Sequence, residues 1–209
     1  MVEVDDLTVV AQDYLKVIWT ATERDEPPIT TTGLAARLGT SPPNVSETLR
    51  RLAGQGLVTY EPYRPVRLTA AGERLAVGMV RRHRLIEAFL VQVLGYGWDE
   101  VHEEAERLEH AISDQLLGRI DALLGHPTQD PHGHQIPTAA GALPLPGGLV
   151  RLSDCAPGRY QVVEVSDADP AVLAELDRLG VSPGAEVDTG LPEAVRSAIW
   201  VLPEDAARS

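Results

Sequence analysis

The chain has 209 residues, of which 44% are hydrophobic and 23% charged, a globular composition that excludes intrinsic disorder, collagen and a fibrous repeat. No apolar run approaches the ~20 residues of a membrane span. The opening Met-Val-Glu-Val-Asp-Asp is acidic where an export signal needs positive charge, so a cytoplasmic protein with no membrane partner is expected. The net charge of -13 hides an asymmetry: residues 1 to 26 carry 2 basic and 7 acidic side chains, residues 27 to 84 carry 9 Arg against 3 Glu, and residues 85 to 209 carry 7 Arg against 21 acidic groups. A basic block inside an acidic chain suits a DNA-reading domain attached to a part that attracts cations, because phosphate binding follows local charge.

In chain order, Leu7, Val10, Tyr14, Val17 and Ile18 recur at helical spacing to about Thr22, where Pro27-Pro28 stops the helix. Thr30 to Leu38 predicts a short capped helix ended by Gly39, and Ser41-Pro42-Pro43 opens another that runs to Gly54. Two short helices with a tight link form a helix-turn-helix. Alternating Leu57-Val58-Thr59-Tyr60 and Val66-Arg67-Leu68 flank a turn at Tyr63-Arg64-Pro65 and predict a two-stranded wing, so residues 1–70 are expected to form a winged helix-turn-helix domain. Helical patterns from Thr69 to Leu94 and from Trp98 to Leu124, broken at Gly95-Tyr96-Gly97, predict an all-helical module over 71–125. Residues 126–149, rich in Pro and Gly, are expected to be a linker; His132-Gly-His134 could suggest a metal clip, but in such a segment the two histidines are expected to be plain surface residues. Tyr160 to Val165, Pro170 to Leu179 and Ala185 to Asp188 predict strand, helix and strand of a small module over 150–209. The fold class is therefore mainly α with a small β domain at the carboxy end.

A single cysteine, Cys155, excludes an internal disulfide and a cysteine-rich zinc site, so any metal is left to His, Asp and Glu. His102, Glu106, Glu109 and His110 fall at helical offsets 0, 4, 7 and 8 and share one face of about 100°. The preceding helix supplies His83 and Glu87 at i and i+4, and the short connection folds the two helices antiparallel, enough for two sites. Imidazole and carboxylate without thiolate suit Mn(II) or Fe(II), while Zn(II), Co(II) and Ni(II) bind the same groups in vitro. Glu103, Glu104 and Asp114 are expected to be solvated charges. Enzyme motifs fail: Glu106 stands where the zinc-protease signature that His102-Glu103 begins needs a second His, and Glu106 to His110 is four positions apart where di-iron proteins need three. No phosphate loop or nucleophile motif is present, so neither catalysis nor a small organic substrate is expected.

Ser41-Pro-Pro-Asn-Val-Ser-Glu-Thr-Leu, Arg81-Arg-His-Arg-Leu and Val101-His-Glu-Glu-Ala-Glu-Arg-Leu-Glu-His resemble the recognition helix, dimerisation helix and metal-binding helix of the diphtheria toxin repressor family of iron- and manganese-dependent transcriptional regulators. The resemblance covers nearly the whole chain. It implies a homodimeric repressor of metal-uptake genes that binds a palindromic operator in double-stranded DNA when metal-loaded. It implies a primary metal site of Asp13, Glu106, Glu109 and His110, and an ancillary site of His83, Glu87 and His102. In the iron branch, Cys and Met occupy the positions of Glu106 and Asp13, so these carboxylates resemble the manganese branch. Lys16 stands where the small manganese regulators place a carboxylate, which implies two separated sites rather than a close pair. The carboxy-terminal domain is expected to be SH3-like, with Asp169 as an added ancillary ligand and Val172 at a second ligand position. The stretch from Asp188 to Ala198 is too short for the remaining strands, leaving either an incomplete barrel or a different local structure. On the DNA side, Ser41, Pro43, Asn44, Ser46, Glu47, Thr48, Arg50, Arg51, Arg64 and Arg67 are the expected contacts, mostly to phosphates and groove edges. Two rival readings are an iron-dependent member of the same family and a winged-helix regulator whose His and Glu cluster is only structural.

Overall fold

Thr8 starts the first helix, its hydroxyl accepting from the backbone N–H of Ala11, and α1 runs Val9–Thr20 with Tyr14, Leu15, Ile18 and Trp19 buried. The computed structural model describes residues 3–23, 28–62, 64–143 and 148–202; Pro27, Tyr63, Pro144 and Pro146 lie outside them. Thr30 caps α2 (Thr31–Arg37) and Ser41 caps α3 (Pro42–Gly54), whose first turn holds Pro42 and Pro43, where no backbone N–H is needed. The amphipathic α3 buries Val45, Leu49 and Leu52. Strands β1 (Val58–Thr59) and β2 (Arg67–Leu68) pair antiparallel, Val58 opposite Leu68, and form the expected wing. Gly72 is required where it stands, because a Cβ there would lie 2.0 Å from the Leu57 carbonyl oxygen.

The chain divides into two compact units, residues 1–82 with 137–141, and residues 83–136 with 142–209. The division falls inside the long helix α4 (Ala70–Leu94). In the second unit, Leu85, Ile86 and Leu90 of α4 share a buried cluster with Val101 and Ala105 of α5 (Val101–Leu108) and with Leu117 and Ile120 of α6 (Asp114–Leu123). The single helix expected from Trp98 to Leu124 is therefore two. Ser113 accepts from the backbone N–H of Leu116 and restarts the chain as α6, a capping signal that the continuing apolar period masks.

The remaining strands form one antiparallel sheet of four, in the order β3 (Val150–Arg151), β6 (Ile199–Val201), β4 (Arg159–Val165), β5 (Glu186–Asp188). Val201 pairs with both Val150 and Val162. The helix α7 (Pro170–Arg178) buries Leu173 and Leu176 in the same core as Val162, Val165 and Ile199. The short stretch before Ala198 holds the four-residue helix α8 (Glu193–Arg196) in place of further strands. The expected linker is largely ordered. Asp130 accepts backbone hydrogen bonds from His132 and His134, and Gln129 bridges Gln135. Proline and glycine deny this stretch a helix or strand, yet one aspartate is enough to organise it as a turn.

Candidate metal centre

One group of side chains lies wholly in the second unit. His83 and Glu87 come from α4, one helical turn apart, His102 from the first turn of α5, and Asp167 from the segment between β4 and α7. These four each offer a donor atom within 4.8 Å of the others. His83 Nε2 is 3.0 Å from Glu87 Oε1 and 3.2 Å from His102 Nδ1, and His102 Nδ1 is 3.6 Å from Asp167 Oδ2. Burial pushes the Glu87 carboxyl up, but the charge of His83 and hydrogen bonding from the surrounding imidazoles outweigh it, holding the group well below the usual carboxylate range. Asp167 behaves alike: burial raises it, and His134, His102 and His132 bring it below its ordinary value. Both carboxylates are thus held in the ionised form by the imidazoles around them.

Glu106, Glu109 and His110 form a second group in the same unit, their donor atoms also mutually within 4.8 Å. Glu109 is fully buried and His110 Nε2 lies 3.5 Å from its Oε1. The helix α5 ends at Leu108, yet Glu109 keeps helical dihedrals as its C-cap and its N–H still bonds to Ala105, so the expected shared face persists past the helix end. His83 touches both groups, because its Nδ1 is 2.6 Å from Glu109 Oε2. Asp13 sits half-buried on α1 of the first unit, and Lys16 is buried on the same helix. The donor sets suit a divalent cation of intermediate hardness, since every donor is imidazole nitrogen or carboxylate oxygen.

In the first unit, Ser41, Pro43, Asn44, Glu47, Arg50 and Arg51 are exposed along α3, and Arg64 and Arg67 are exposed on the wing. Ser46 and Thr48 are half-buried, and the Tyr60 hydroxyl donates to Ser46 Oγ at 3.1 Å. A helix whose first turn is free, beside an arginine-bearing ribbon, has the form of a major-groove reader with a phosphate-contacting wing.

Two family models match the chain: "Iron dependent repressor, N-terminal DNA binding domain" over residues 6–66, and "Iron dependent repressor, metal binding and dimerisation domain" over residues 69–138. The iron-dependent repressor IdeR of Mycobacterium tuberculosis is 35% identical across 88% of this chain and 84% of its own. The chain belongs to the diphtheria toxin repressor family. The diphtheria toxin repressor of Corynebacterium efficiens is 32% identical over the same shares. A solved manganese-dependent transcriptional repressor in complex with manganese superposes with a TM-score of 0.85 at 46% identity, covering 92% of this chain and 99% of that one. The manganese regulator SloR does so with a TM-score of 0.76 at 30% identity, covering 93% and 98%. This member of the family is accordingly a metal-dependent transcriptional repressor, not an enzyme, with a DNA-binding domain and a dimerisation domain.

Two expectations are corrected by the geometry. Asp169 is exposed and caps α7, its Oδ1 accepting from the N–H of Ala171 at 2.9 Å, so its carboxylate is already engaged outside the group. Asp167, two residues earlier, is the carboxylate that joins His83, Glu87 and His102. His132 and His134 are not surface residues: the His132 side chain is 0% exposed and that of His134 is 12% exposed. Burial lowers the His134 pKa, but Asp130 and Asp167 outweigh it, so the imidazole is pushed up to about 9. The signal for this order was the aspartate two residues before the first histidine, which holds both backbone N–H groups.

Proposed function

We propose that this chain is a manganese-responsive repressor of metal-uptake genes that acts in the cytoplasm as a homodimer on a palindromic operator. The observation that carries the metal assignment is the donor chemistry: Glu106, Glu109 and His110 present carboxylate and imidazole with no sulfur, and harder donors favour the harder cation. The 46% identity to a manganese-dependent repressor, against 35% to an iron-dependent one, supports the same choice. Fe(II) is the alternative, favoured by the iron-dependent relatives.

On this reading, Glu106, Glu109 and His110 hold the primary ion with Asp13, the assignment of Asp13 resting on the family resemblance. His83, Glu87, His102 and Asp167 hold the ancillary ion. The cation, when bound, supplies the positive charge that makes clustered ionised carboxylates favourable. Asp13 is the switch residue, since it belongs to the helix preceding the DNA-reading unit. Binding energy available in only one arrangement shifts the population toward it, and about 1–3 kcal/mol corresponds to about 5- to 150-fold in DNA affinity. Arg50, Arg51, Arg64 and Arg67 meet phosphates, while Pro43, Asn44, Ser46, Glu47 and Thr48 sit at the base edges after Ser41 has capped the helix.

The test is fluorescence anisotropy on the gene's own upstream DNA at fixed ionic strength, with chelator, with Mn(II), and with Fe(II) under anaerobic conditions. Tight binding with Mn(II) alone is expected. Equal response to both ions removes the manganese assignment, and binding indifferent to metal removes the switch.

A further inference from the structure

The helical part and the sheet of the second unit have separate buried clusters, and Trp98 crosses between them. It stands just before α5, yet it is not a member of the cluster that joins α4, α5 and α6. Its indole packs instead against Leu152, Val162, Leu173, Leu176 and Ile199, in a cluster whose other members, among the described residues, all come from residues 150–201. The indole Nε1–H donates to Asp177 Oδ1 on α7 at 2.7 Å. A tryptophan ring with its N–H satisfied combines a large apolar contact with a fixed direction. The backbone of the residue is held as well, since the Trp98 carbonyl lies 2.7 Å from His132 Nε2 and the two rings stand 5.7 Å apart.

The segment that carries Asp167 lies between two attachments to the helical part. On one side, β4 ends at Val165, whose N–H donates to the His132 carbonyl at 2.9 Å. Gly133 has φ +89°, and a Cβ there would lie 2.2 Å from the Val163 carbonyl oxygen, so the turn at residues 130–134 is pressed onto that strand. On the other side, α7 begins at Pro170 and meets Trp98 through Asp177. Residues 166–169 span the gap, with Ser166 N bonded to the Ala198 carbonyl at 2.8 Å, and Asp167 Oδ2 reaches to 3.6 Å from His102 Nδ1.

We infer that Trp98 is a positioning residue of the ancillary group: by clamping α7 it sets the place of Asp167 against His83, Glu87 and His102. The inference rests on the reading of that group as a metal site. Ordering irregular backbone at the moment of binding costs conformational entropy and lowers affinity, whereas a segment fixed in advance at both ends avoids that cost. The turn fixes the end next to β4, and α7 is free to pivot about that end once Trp98 lets go. A Trp98 that served stability alone would touch both metal groups equally. Acting through Asp167, it touches one, because Glu106, Glu109 and His110 belong to the other.

The test is calorimetric titration of the full chain with Mn(II), comparing the parent with Trp98→Ala, Asp177→Ala, Asp167→Ala and the double variant Trp98→Ala with Asp167→Ala. Trp98→Ala and Asp167→Ala are each expected to weaken one and the same class of site by at least about 10-fold, leaving the other unchanged. The double variant is expected to bind no more weakly than Asp167→Ala. Asp177 is exposed, so Asp177→Ala spares the core; it is expected to weaken the same class by about 3-fold. A loss in Asp167→Ala with unchanged binding in Trp98→Ala and Asp177→Ala overturns this inference alone. Equal losses at both classes in Trp98→Ala, or losses that add in the double variant, also overturn it. No effect of Asp167→Ala at either class overturns the metal reading of Asp167 as well. Should Trp98→Ala fail to fold by circular dichroism, Asp177→Ala alone and combined with Asp167→Ala decides by the same comparison.

Discussion

His83 uses both ring nitrogens, with Nδ1 2.6 Å from Glu109 and Nε2 3.0 Å from Glu87. On the proposed reading, His83 presents Nε2 to the ancillary group while its Nδ1 holds a carboxylate of the primary group in place. His83→Gln is therefore expected to weaken Mn(II) binding at both groups, whereas His102→Gln weakens it at one; calorimetric titration separates the two outcomes, and a one-site loss in His83→Gln contradicts this dual role. His134 bears on stability instead. Its folded pKa of about 9 lies above the unfolded value of about 6.5. The folded state binds the extra proton, so the stabilisation is fully present below about pH 6.5 and is lost as pH rises through about 9. His134→Ala is expected to cost about 1–3 kcal/mol at pH 6, and the gap in melting temperature from the parent should close by about pH 10. A gap that stays constant from pH 6 to 10 contradicts the ion pair with Asp130.

Helix α3 shows how local rules and the proposed DNA contacts meet in one element. Ser41 accepts from Asn44 N at 3.4 Å and frees the first turn of α3 from the need for other caps. Its replacement by alanine is expected to cost about 1 kcal/mol of stability, read by chemical denaturation. Arg50 and Arg51 are exposed on the same helix and carry no sequence information if they meet phosphates. Alanine at either is expected to weaken binding to specific and scrambled DNA alike and to reduce the slope of log affinity against log salt by about 1. A loss confined to the specific site would make that arginine a base reader.

At the scale of the whole molecule, the proposed metal response rests on Asp13 belonging to one unit while Glu106, Glu109 and His110 belong to the other. On the proposed reading, Asp13→Ala abolishes the gain in DNA affinity on adding Mn(II) but leaves the dimer intact. Anisotropy and sedimentation velocity read the two separately, and an unchanged metal response in this variant removes Asp13 from the switch. The charge asymmetry has the same division of labour: the basic block lies in residues 27–84 and the acidic excess after it.

The order of helices, the wing and the two clusters on α4 and α5 were legible in the sequence because each rests on local rules: caps, a 3.6-residue period and i, i+4 spacing. His83 with Glu87 and His102 with Glu106 needed no distant contact to be seen as pairs. The break before α6 was legible only as a serine against a continuing apolar pattern, and tertiary packing decided it. The place of Asp167 and the burial of His132 escaped for a different reason. Each lies in irregular chain, where no period says which way a side chain points, and each is brought to Glu87 by long-range pairing: Val165 N bonding to the His132 carbonyl, and Gly133 pressed on β4. Residue types and their helical spacing belong to the sequence, but which loop side chains join them is decided only when the sheet sets those loops against the helices.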